Sequence, residues 1–199
     1  TLFRSMEKHV NKITSSCYFN LRNISKIRRN LTDEALMSET LIQSLVISKL
    51  DSLNAMLCGV PNKLKRKLQL VQNQATRVIV RIKKCEHITP VLKNLHWLPI
   101  HFRIEYKINL LTYKCLHGSA PDYLAELLEE NAPSRTLRSA NKGLLKEKKS
   151  RSKTYGDRCF SVCAPKLWNG LPADVRAKDT IYAFKKYLKT YYFKLAYDC

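Results

Sequence analysis

Basic side chains recur along residues 61–84, and the chemistry open to them is the binding of phosphate. Six of them are expected on one face of a helix: Lys63, Arg66, Lys67, Arg77, Arg81 and Lys84. No Asp or Glu interrupts them, and the polar Asn73 and Gln74 lie between them. Guanidinium and ammonium groups donate charge-assisted hydrogen bonds to phosphate oxygens. The pattern predicts a surface for the backbone of a nucleic acid, and the alternative is a helix face that only contacts solvent.

A second basic run lies between residues 142 and 153. It contains Lys142, Lys146, Lys148, Lys149, Arg151 and Lys153. Three interpretations are open: nucleic-acid binding, a nuclear localisation signal, or plain solubility. We favour nucleic-acid binding and include Lys148, Lys149, Arg151 and Lys153 among the predicted phosphate contacts.

Metal-binding and catalytic patterns are weak by comparison. The close pairs Cys85-x-His87 and Cys159-x3-Cys163 have no second pair at the spacing of a zinc site. Cys115 and His117 are two residues apart, so on a helix they face different ways. There is no glycine-rich phosphate loop and no defensible Ser–His–Asp arrangement. We therefore predict no catalytic residue, no metal site and no cofactor in this chain.

The basic residues of 61–84 need a helix to align them, and the apolar residues predict one. Leu64, Leu68, Val71, Ala75, Val78 and Ile82 recur at steps of four and three. Pro61 suits the first turn of a helix. At about 100° per residue the basic side chains fall opposite this seam, along a rod of roughly 30 Å. Leu70 is an apolar exception on the charged side.

The rest of the chain is predicted to be mainly α-helical. Further helices are expected over residues 6–28, from Thr32 to Gly59, over 89–96, 99–118 and 120–130, near 160–168, and from Thr180 onwards. Residues 131–158 are polar, basic and interrupted by Pro133, Gly143 and Gly156. That composition indicates a loop with one hairpin around residues 144–153. We predict a thumb-like helical bundle at 1–130 and a smaller basic C-terminal segment at 131–199.

Charge and cysteine content restrict the partners and the compartment. The 199 residues include 36 basic and 16 acidic residues, giving a net charge of +20. This charge favours nucleic acid as the partner over an anionic membrane, and no apolar run approaches the ~20 residues of a membrane span. Seven scattered cysteines indicate reduced thiols in the nucleus or cytoplasm. The chain does not begin with Met, which suggests a piece of a longer protein.

Aromatic residues could stack on bases, but packing is the simpler interpretation of each group. Trp97, followed by Leu98-Pro99, is expected to be buried at a corner between helices, and Trp168 likewise. Five tyrosines of the last helix lie among lysines, and we favour an interface between helices over base stacking. They are Tyr182, Tyr187, Tyr191, Tyr192 and Tyr197.

Several motifs together resemble the C-terminal region of a non-LTR (LINE-type) retrotransposon reverse transcriptase, of the jockey and chicken-repeat branches. The longest is HITPVLKNLHWLPIHFRIEYKINLLTYKCLHGSAPDYLAELL. SRTLRS, KTYGDRCFSVCAPKLWNGLP and FKKYLK follow it. FNLRNISKIR, SKLDSLNAMLCGVP and LQLVQNQATRVI precede it. The resemblance covers nearly the whole chain, and the combination of motifs is more specific than any one of them.

The resemblance implies that this chain begins roughly where the polymerase palm ends and comprises the thumb and a downstream segment. The palm carboxylates that hold Mg²⁺ are missing, because no two Asp residues are adjacent here. The chain alone is therefore predicted not to be an enzyme, although its parent would be an RNA-directed DNA polymerase. Implied partners are an RNA/DNA duplex, bound without sequence preference, and the upstream palm. The alternative function is a decayed or domesticated fragment that binds another protein through apolar helix faces.

Overall fold

A computed structural model describes residues 2–27, 39–52, 54–131, 143–150 and 156–198, with side chains from Met6 in the first range and Thr40 in the second. This part of the chain is mainly helical and forms no strand, as the sequence predicts. Thr32, where the second helix is predicted to begin, lies outside the described residues. Within the described ranges, no helix is both long and apolar enough to cross a bilayer.

The α-helices are numbered in chain order. They are α1 (Leu2–Ile27), α2 (Glu39–Ile42), α3 (Ser48–Asp51), α4 (Asn62–Val80), α5 (Thr89–Asn94), α6 (Ile100–Leu116), α7 (Asp122–Ala125), α8 (Phe160–Asn169), α9 (Ala173–Arg176) and α10 (Ile181–Tyr197). A π-helix at Gln43–Ile47 joins α2 to α3, and short 3-10 helices form at Asn54–Leu57 and Gly156–Arg158.

The chain divides into two compact units. Unit 1 comprises Thr1–Asn54 and Val60–His101, and unit 2 comprises Ala55–Gly59 and Phe102–Cys199. Composition changes at Asn131, whereas packing divides the chain within α6. Composition and packing describe different properties, so the predicted boundary at Glu130 stays a prediction.

In unit 1, α1 packs along α4 and against the π-helix. Their shared core contains Val10, Cys17, Val46, Leu68 and Val71, each less than 2% exposed. Lys49 Nζ donates to Ser16 Oγ at 2.8 Å, and Asn20 Nδ2 donates to the Leu45 carbonyl at 2.8 Å. Asn20 follows Ser16 in α1, whereas its partner Leu45 precedes Lys49. Helix α1 and residues 45–49 therefore run antiparallel.

The π-helix is a feature that periodicity did not predict. Two of its carbonyl groups accept side-chain hydrogen bonds from α1: Asn20 Nδ2 bonds Leu45 O, and the Cys17 thiol lies 3.8 Å from Val46 O. Wider turns of this kind occur as single insertions inside α-helices. Over so few residues, an apolar pattern with 3.6 residues per turn cannot distinguish a π-helix from an α-helix.

In unit 2, α6 and α10 pack through aromatic side chains. Tyr113 stacks on Phe184 with ring centroids 4.2 Å apart, and the Tyr113 hydroxyl donates to the Lys178 carbonyl at 2.8 Å. Asn109 Nδ2 donates to the Tyr192 hydroxyl oxygen at 2.7 Å, in a buried position. Ile104, Ile108, Leu110 and Tyr113 of α6 are all buried.

Two local predictions differ from the structure. The helix expected over residues 120–130 is only the four residues of α7. The hairpin expected around 144–153 is not seen in its described part; instead an isolated antiparallel bridge joins Leu145 to Glu130. Lys146 N–H bonds the Glu129 carbonyl at 2.8 Å, so residues 129–131 supply the backbone partner. Arg151 and Lys153, at the far end of the predicted hairpin, lie outside the described residues.

Candidate nucleic-acid interface

The outer face of α4 carries exposed cations, as predicted for the first part of the basic row. Leu64, Leu68, Val71, Ala75 and Val78 are buried, which fixes the helix with Lys63 and Arg66 exposed on its other side. Neither Lys63 nor Arg66 bonds to any residue that the structure describes. No acidic residue occurs between Asn62 and Val80. These two side chains can therefore bind an anion without first breaking an ion pair within this face.

Lys67 lies on the flank of α4 that faces α1. Its Nζ donates to Asn11 Oδ1 at 2.8 Å, which leaves its other two donors available. A shallow groove of about 240 Å³ runs beside it, lined by Asn11, Thr14, Ser15, Tyr18, Lys67 and Leu70. Leu70, the apolar exception in the sequence pattern, is 50% exposed at this groove.

The last two residues of the basic row, Arg81 and Lys84, lie beyond the helix, contrary to prediction. Helix α4 ends at Val80, and Arg81 takes a left-handed conformation with φ 60°. Arg81 and Lys84 are therefore exposed on the segment after the helix, off the predicted rod. Ile82, the predicted end of the apolar seam, is half-buried beyond the helix. No Gly or Pro marks this end in the sequence, so the apolar period predicted a longer helix.

Arg77 holds the segment after α4. Its guanidinium lies 3.4 Å from the carbonyl oxygens of both Lys84 and Glu86, and its Nε is buried without a hydrogen-bond partner. The Glu86 carboxylate accepts the Lys83 N–H at 2.9 Å in the same turn. Arg77, which is itself one of the predicted phosphate contacts, therefore also positions Lys84.

The second basic run is only partly available for phosphate. Lys146 and Lys148 pair with the two oxygens of Glu129, at 3.0 Å and 2.8 Å. Hydrogen bonds from Lys148 and then Lys146 lower the pKa of the Glu129 carboxyl group. Lys149 is exposed, and Lys142, Arg151 and Lys153 lie outside the described residues. Lys148 must exchange Glu129 for a phosphate group in order to bind one.

Both tryptophans are buried, in agreement with the packing interpretation. Trp97 is 6% exposed and Trp168 is 2% exposed, with Trp168 Nε1 donating to the Gly143 carbonyl at 2.9 Å. Stacking either indole on a base would require it to leave its packed position.

The corner that follows Trp97 is held by three amide side chains of α4. Gln72 is fully buried, and its Nε2 donates to the Leu98 carbonyl at 2.9 Å. Gln69 Nε2 donates to Gln72 Oε1 at 3.0 Å and to Asn73 Oδ1 at 2.8 Å, while its own Oε1 accepts the Ile100 N–H at 2.9 Å. This network orients α4 and thereby its exposed basic face. Sequence reasoning missed Gln72, although its position four residues after Leu68 places it beside the seam.

Cysteine and histidine side chains form no described metal cluster. Among the residues that the structure covers, no three His, Cys, Asp or Glu side chains are placed to hold a metal ion. Cys85 and His87 are exposed. The Cys163 thiol is buried against Cys58, and a hydrogen bond with Cys58 together with burial raises the pKa of Cys163. Burial raises the pKa of Cys115, and His117 Nδ1 lies 2.9 Å from the Tyr113 carbonyl. Neither cysteine has the depressed pKa of an activated nucleophile.

No protein-family model, curated protein or solved structure matches this chain. Its function must therefore be inferred from its own residues.

Proposed function

We propose that this chain binds a nucleic-acid duplex through backbone phosphates, without reading its sequence and without catalysing a reaction. The observation that carries the proposal is the outer face of α4, where Lys63 and Arg66 are exposed and no carboxylate interrupts the helix. In a chain of net charge +20, such a face attracts a polyanion from a distance. Contacts to phosphate position a duplex and carry no sequence information.

The phosphate surface consists of two parts. The helical part is Lys63, Arg66 and, on its flank, Lys67. The second part is Arg81 and Lys84, on the segment that Arg77 supports. The amide network of Gln69, Gln72 and Asn73 fixes α4 against the corner after Trp97. A surface held in this way loses little conformational entropy when a duplex binds.

The resemblance described above supplies the biological context of the proposal. The chain is the thumb and downstream segment of a LINE-type reverse transcriptase, and it holds template RNA paired with primer or nascent DNA. The Mg²⁺-dependent polymerisation belongs to the palm of the parent protein, and the compartment is the nucleus or the reducing cytoplasm. The positive face and the helical fold support this assignment.

The test compares two charge-removing variants of the full chain. Lys63→Gln with Arg66→Gln removes the helical cations, and Arg81→Gln with Lys84→Gln removes those after the helix. Duplex affinity is measured over a series of salt concentrations. Each phosphate contact contributes about −0.9 to the slope of log affinity against log salt, so each double variant should reduce the slope by about 2.

The control is Lys107→Gln with Lys166→Gln, which removes the same charge from exposed positions on α6 and α8. It should leave the slope nearly unchanged. If all three variants weaken binding equally, the positive charge acts only collectively and the α4 surface is not the site. Salt-insensitive binding of a protein, with no duplex binding, would instead support the interaction-module alternative.

A further inference from the structure

The outer face of α10 combines an exposed aromatic ring with lysines. Tyr182 is 78% exposed, and Lys185, Lys186 and Lys189 are exposed three, four and seven residues later. Positions at this spacing lie on one side of a helix. None of these four side chains bonds to a residue within the described ranges. They form a surface, here called the α10 face, in unit 2.

The structure separates Tyr182 from the other tyrosines of α10. Tyr192 is 3% exposed and bonded to Asn109, and Tyr191 and Tyr197 are half-buried. Tyr187 is 47% exposed, but Lys178 Nζ lies 4.1 Å from its ring centroid. The packing interpretation therefore holds for most of the group, and Tyr182 is the exception.

The α10 face is rigid because the opposite side of the helix is in the core. Phe184 and Leu188 are fully buried, and Phe184 stacks on Tyr113. Thr180 Oγ1 accepts the Ala183 N–H at 3.2 Å, so the turn that carries Tyr182 is capped. An aromatic ring held in this way needs little further ordering to stack on a ligand.

Charge selects the class of ligand. Residues 181–197 contain four lysines and no acidic residue, and the nearest acidic residues in sequence, Asp179 and Asp198, lie outside the helix. Lys185, Lys186 and Lys189 suit phosphates, while the Tyr182 ring suits an unstacked base. From residue 182 to 189 the helix rises about 10 Å, which is long enough to contact more than one phosphate of a strand.

We propose that the α10 face binds single-stranded nucleic acid, with Tyr182 stacking on a base and Lys185, Lys186 and Lys189 contacting phosphates. A duplex could contact the lysines through its phosphates, but its bases already stack on one another and so could not stack on the Tyr182 ring. Base stacking on aromatic side chains tolerates any sequence, so this site needs no base-specific hydrogen bonds. The proposal is independent of the duplex surface on α4, which belongs to unit 1.

The test compares a 12-nucleotide oligothymidylate with an abasic phosphodiester strand of equal length and charge. Fluorescence anisotropy is measured on the full chain carrying Lys63→Gln and Arg66→Gln, and on the unsubstituted chain. The oligothymidylate should bind more tightly than the abasic strand on both backgrounds. Tyr182→Ala should lower oligothymidylate affinity by about fivefold or more and leave the abasic strand unaffected.

Three further variants sharpen the result. Tyr182→Phe should retain the preference for the base-containing strand, because the ring remains. Tyr123→Ala is the matched control, since Tyr123 is 67% exposed but lies on α7 beside acidic residues; it should change nothing. Replacing Lys185, Lys186 and Lys189 with Gln should weaken binding of both strands and reduce the salt slope by about 2.

Equal affinity for the two strands, or an unchanged preference in Tyr182→Ala, would overturn the proposal. So would equally effective competition by anionic vesicles at the same phosphate concentration, because the α10 face would then recognise anions in general. Loss of duplex binding on α4 alone leaves these comparisons intact, so the two proposals fail separately.

Discussion

Arg81 occupies a backbone conformation in which glycine is usually preferred. Its φ of 60° and ψ of 29° place it in the left-handed region at the end of α4. A side chain with a Cβ costs roughly 1 kcal/mol there relative to glycine. An exposed arginine at such a position sacrifices stability, which is consistent with a role in binding.

We expect Arg81→Gly and Arg81→Gln to separate stability from binding. Arg81→Gly should raise the free energy of unfolding by about 1 kcal/mol, since glycine relieves the strained backbone. Arg81→Gln keeps the left-handed backbone strained and should therefore gain none of this stability. Both should weaken duplex binding equally. Urea unfolding and duplex titration measure the two effects, and a glycine variant less stable than the glutamine variant would contradict the explanation.

Gln72 shows how much one buried amide contributes to the position of α4. Substituting Gln72→Leu leaves the Leu98 carbonyl without its donor and deprives the Gln69 amide of an acceptor. We expect a loss of about 1–3 kcal/mol in the free energy of unfolding, the usual cost of unsatisfied buried groups. Gln74→Leu, two residues away and half-buried, is the control and should change stability by less than about 0.5 kcal/mol. Urea denaturation measures both, and equal losses would argue against the network.

At the scale of elements, side-chain hydrogen bonds join neighbouring helices both in the core and at the surface. Asn109 on α6 bonds Tyr192 on α10, and Asn20 on α1 bonds a carbonyl of the π-helix. Such pairs fix the alignment of neighbouring helices, which apolar seams alone leave free to slide. Burial of Tyr192 also gives unfolding a dependence on pH.

Burial raises the pKa of Tyr192 above its ordinary value near 10. As pH rises above 10 the unfolded chain loses this proton first, so the free energy of unfolding falls with pH. Tyr192→Phe should be less stable at pH 7, because a buried hydrogen bond is lost, and its stability should then fall less steeply above pH 10. The difference in slope should approach about 1.4 kcal/mol per pH unit.

The matched control for this experiment is Tyr123→Phe, because the Tyr123 ring is exposed. Its stability should follow that of the unsubstituted chain at every pH. Burial also raises the pKa of Tyr197, to about 12, and this contribution is common to both variants. Parallel curves for Tyr192→Phe and the unsubstituted chain above pH 10 would contradict the explanation.

For the whole molecule, the net charge of +20 opposes folding while it favours anionic partners. Like charges on a compact chain repel one another, and salt weakens that repulsion over a Debye length of about 10 Å at 0.1 M. The same salt weakens binding to phosphate. Stability and affinity should therefore respond to salt in opposite directions.

Raising sodium chloride from about 0.02 M to about 0.2 M should increase the melting temperature while it decreases duplex affinity. Differential scanning fluorimetry and duplex titration in the same buffers measure the two responses. Sodium sulfate at equal ionic strength is the control, because a much larger rise with sulfate indicates specific anion binding. A melting temperature that falls with sodium chloride would show that self-repulsion is not the dominant charge effect.

The helical fold and much of the candidate surface could be predicted from local patterns. The buried residues of α4 follow its predicted seam, helices α1, α6 and α10 form in ranges where helices are predicted, and Thr180 caps α10. Periodicity works here because each of these helices has one face in a core and the other in solvent. The predictions of a helix over residues 120–130 and a hairpin around residues 144–153 were wrong, because such short stretches contain too few repeats of the pattern to identify the element.

The sequence by itself determined the helical class of the described residues, the apolar faces and the predominance of positive charge, because these depend on neighbouring residues and composition. Only the tertiary structure decided where α4 ends, how far each tyrosine of α10 is exposed, and that Glu129 pairs with Lys146 and Lys148. Those outcomes depend on contacts between residues distant in sequence. A spacing rule within one helix contains no information about such contacts.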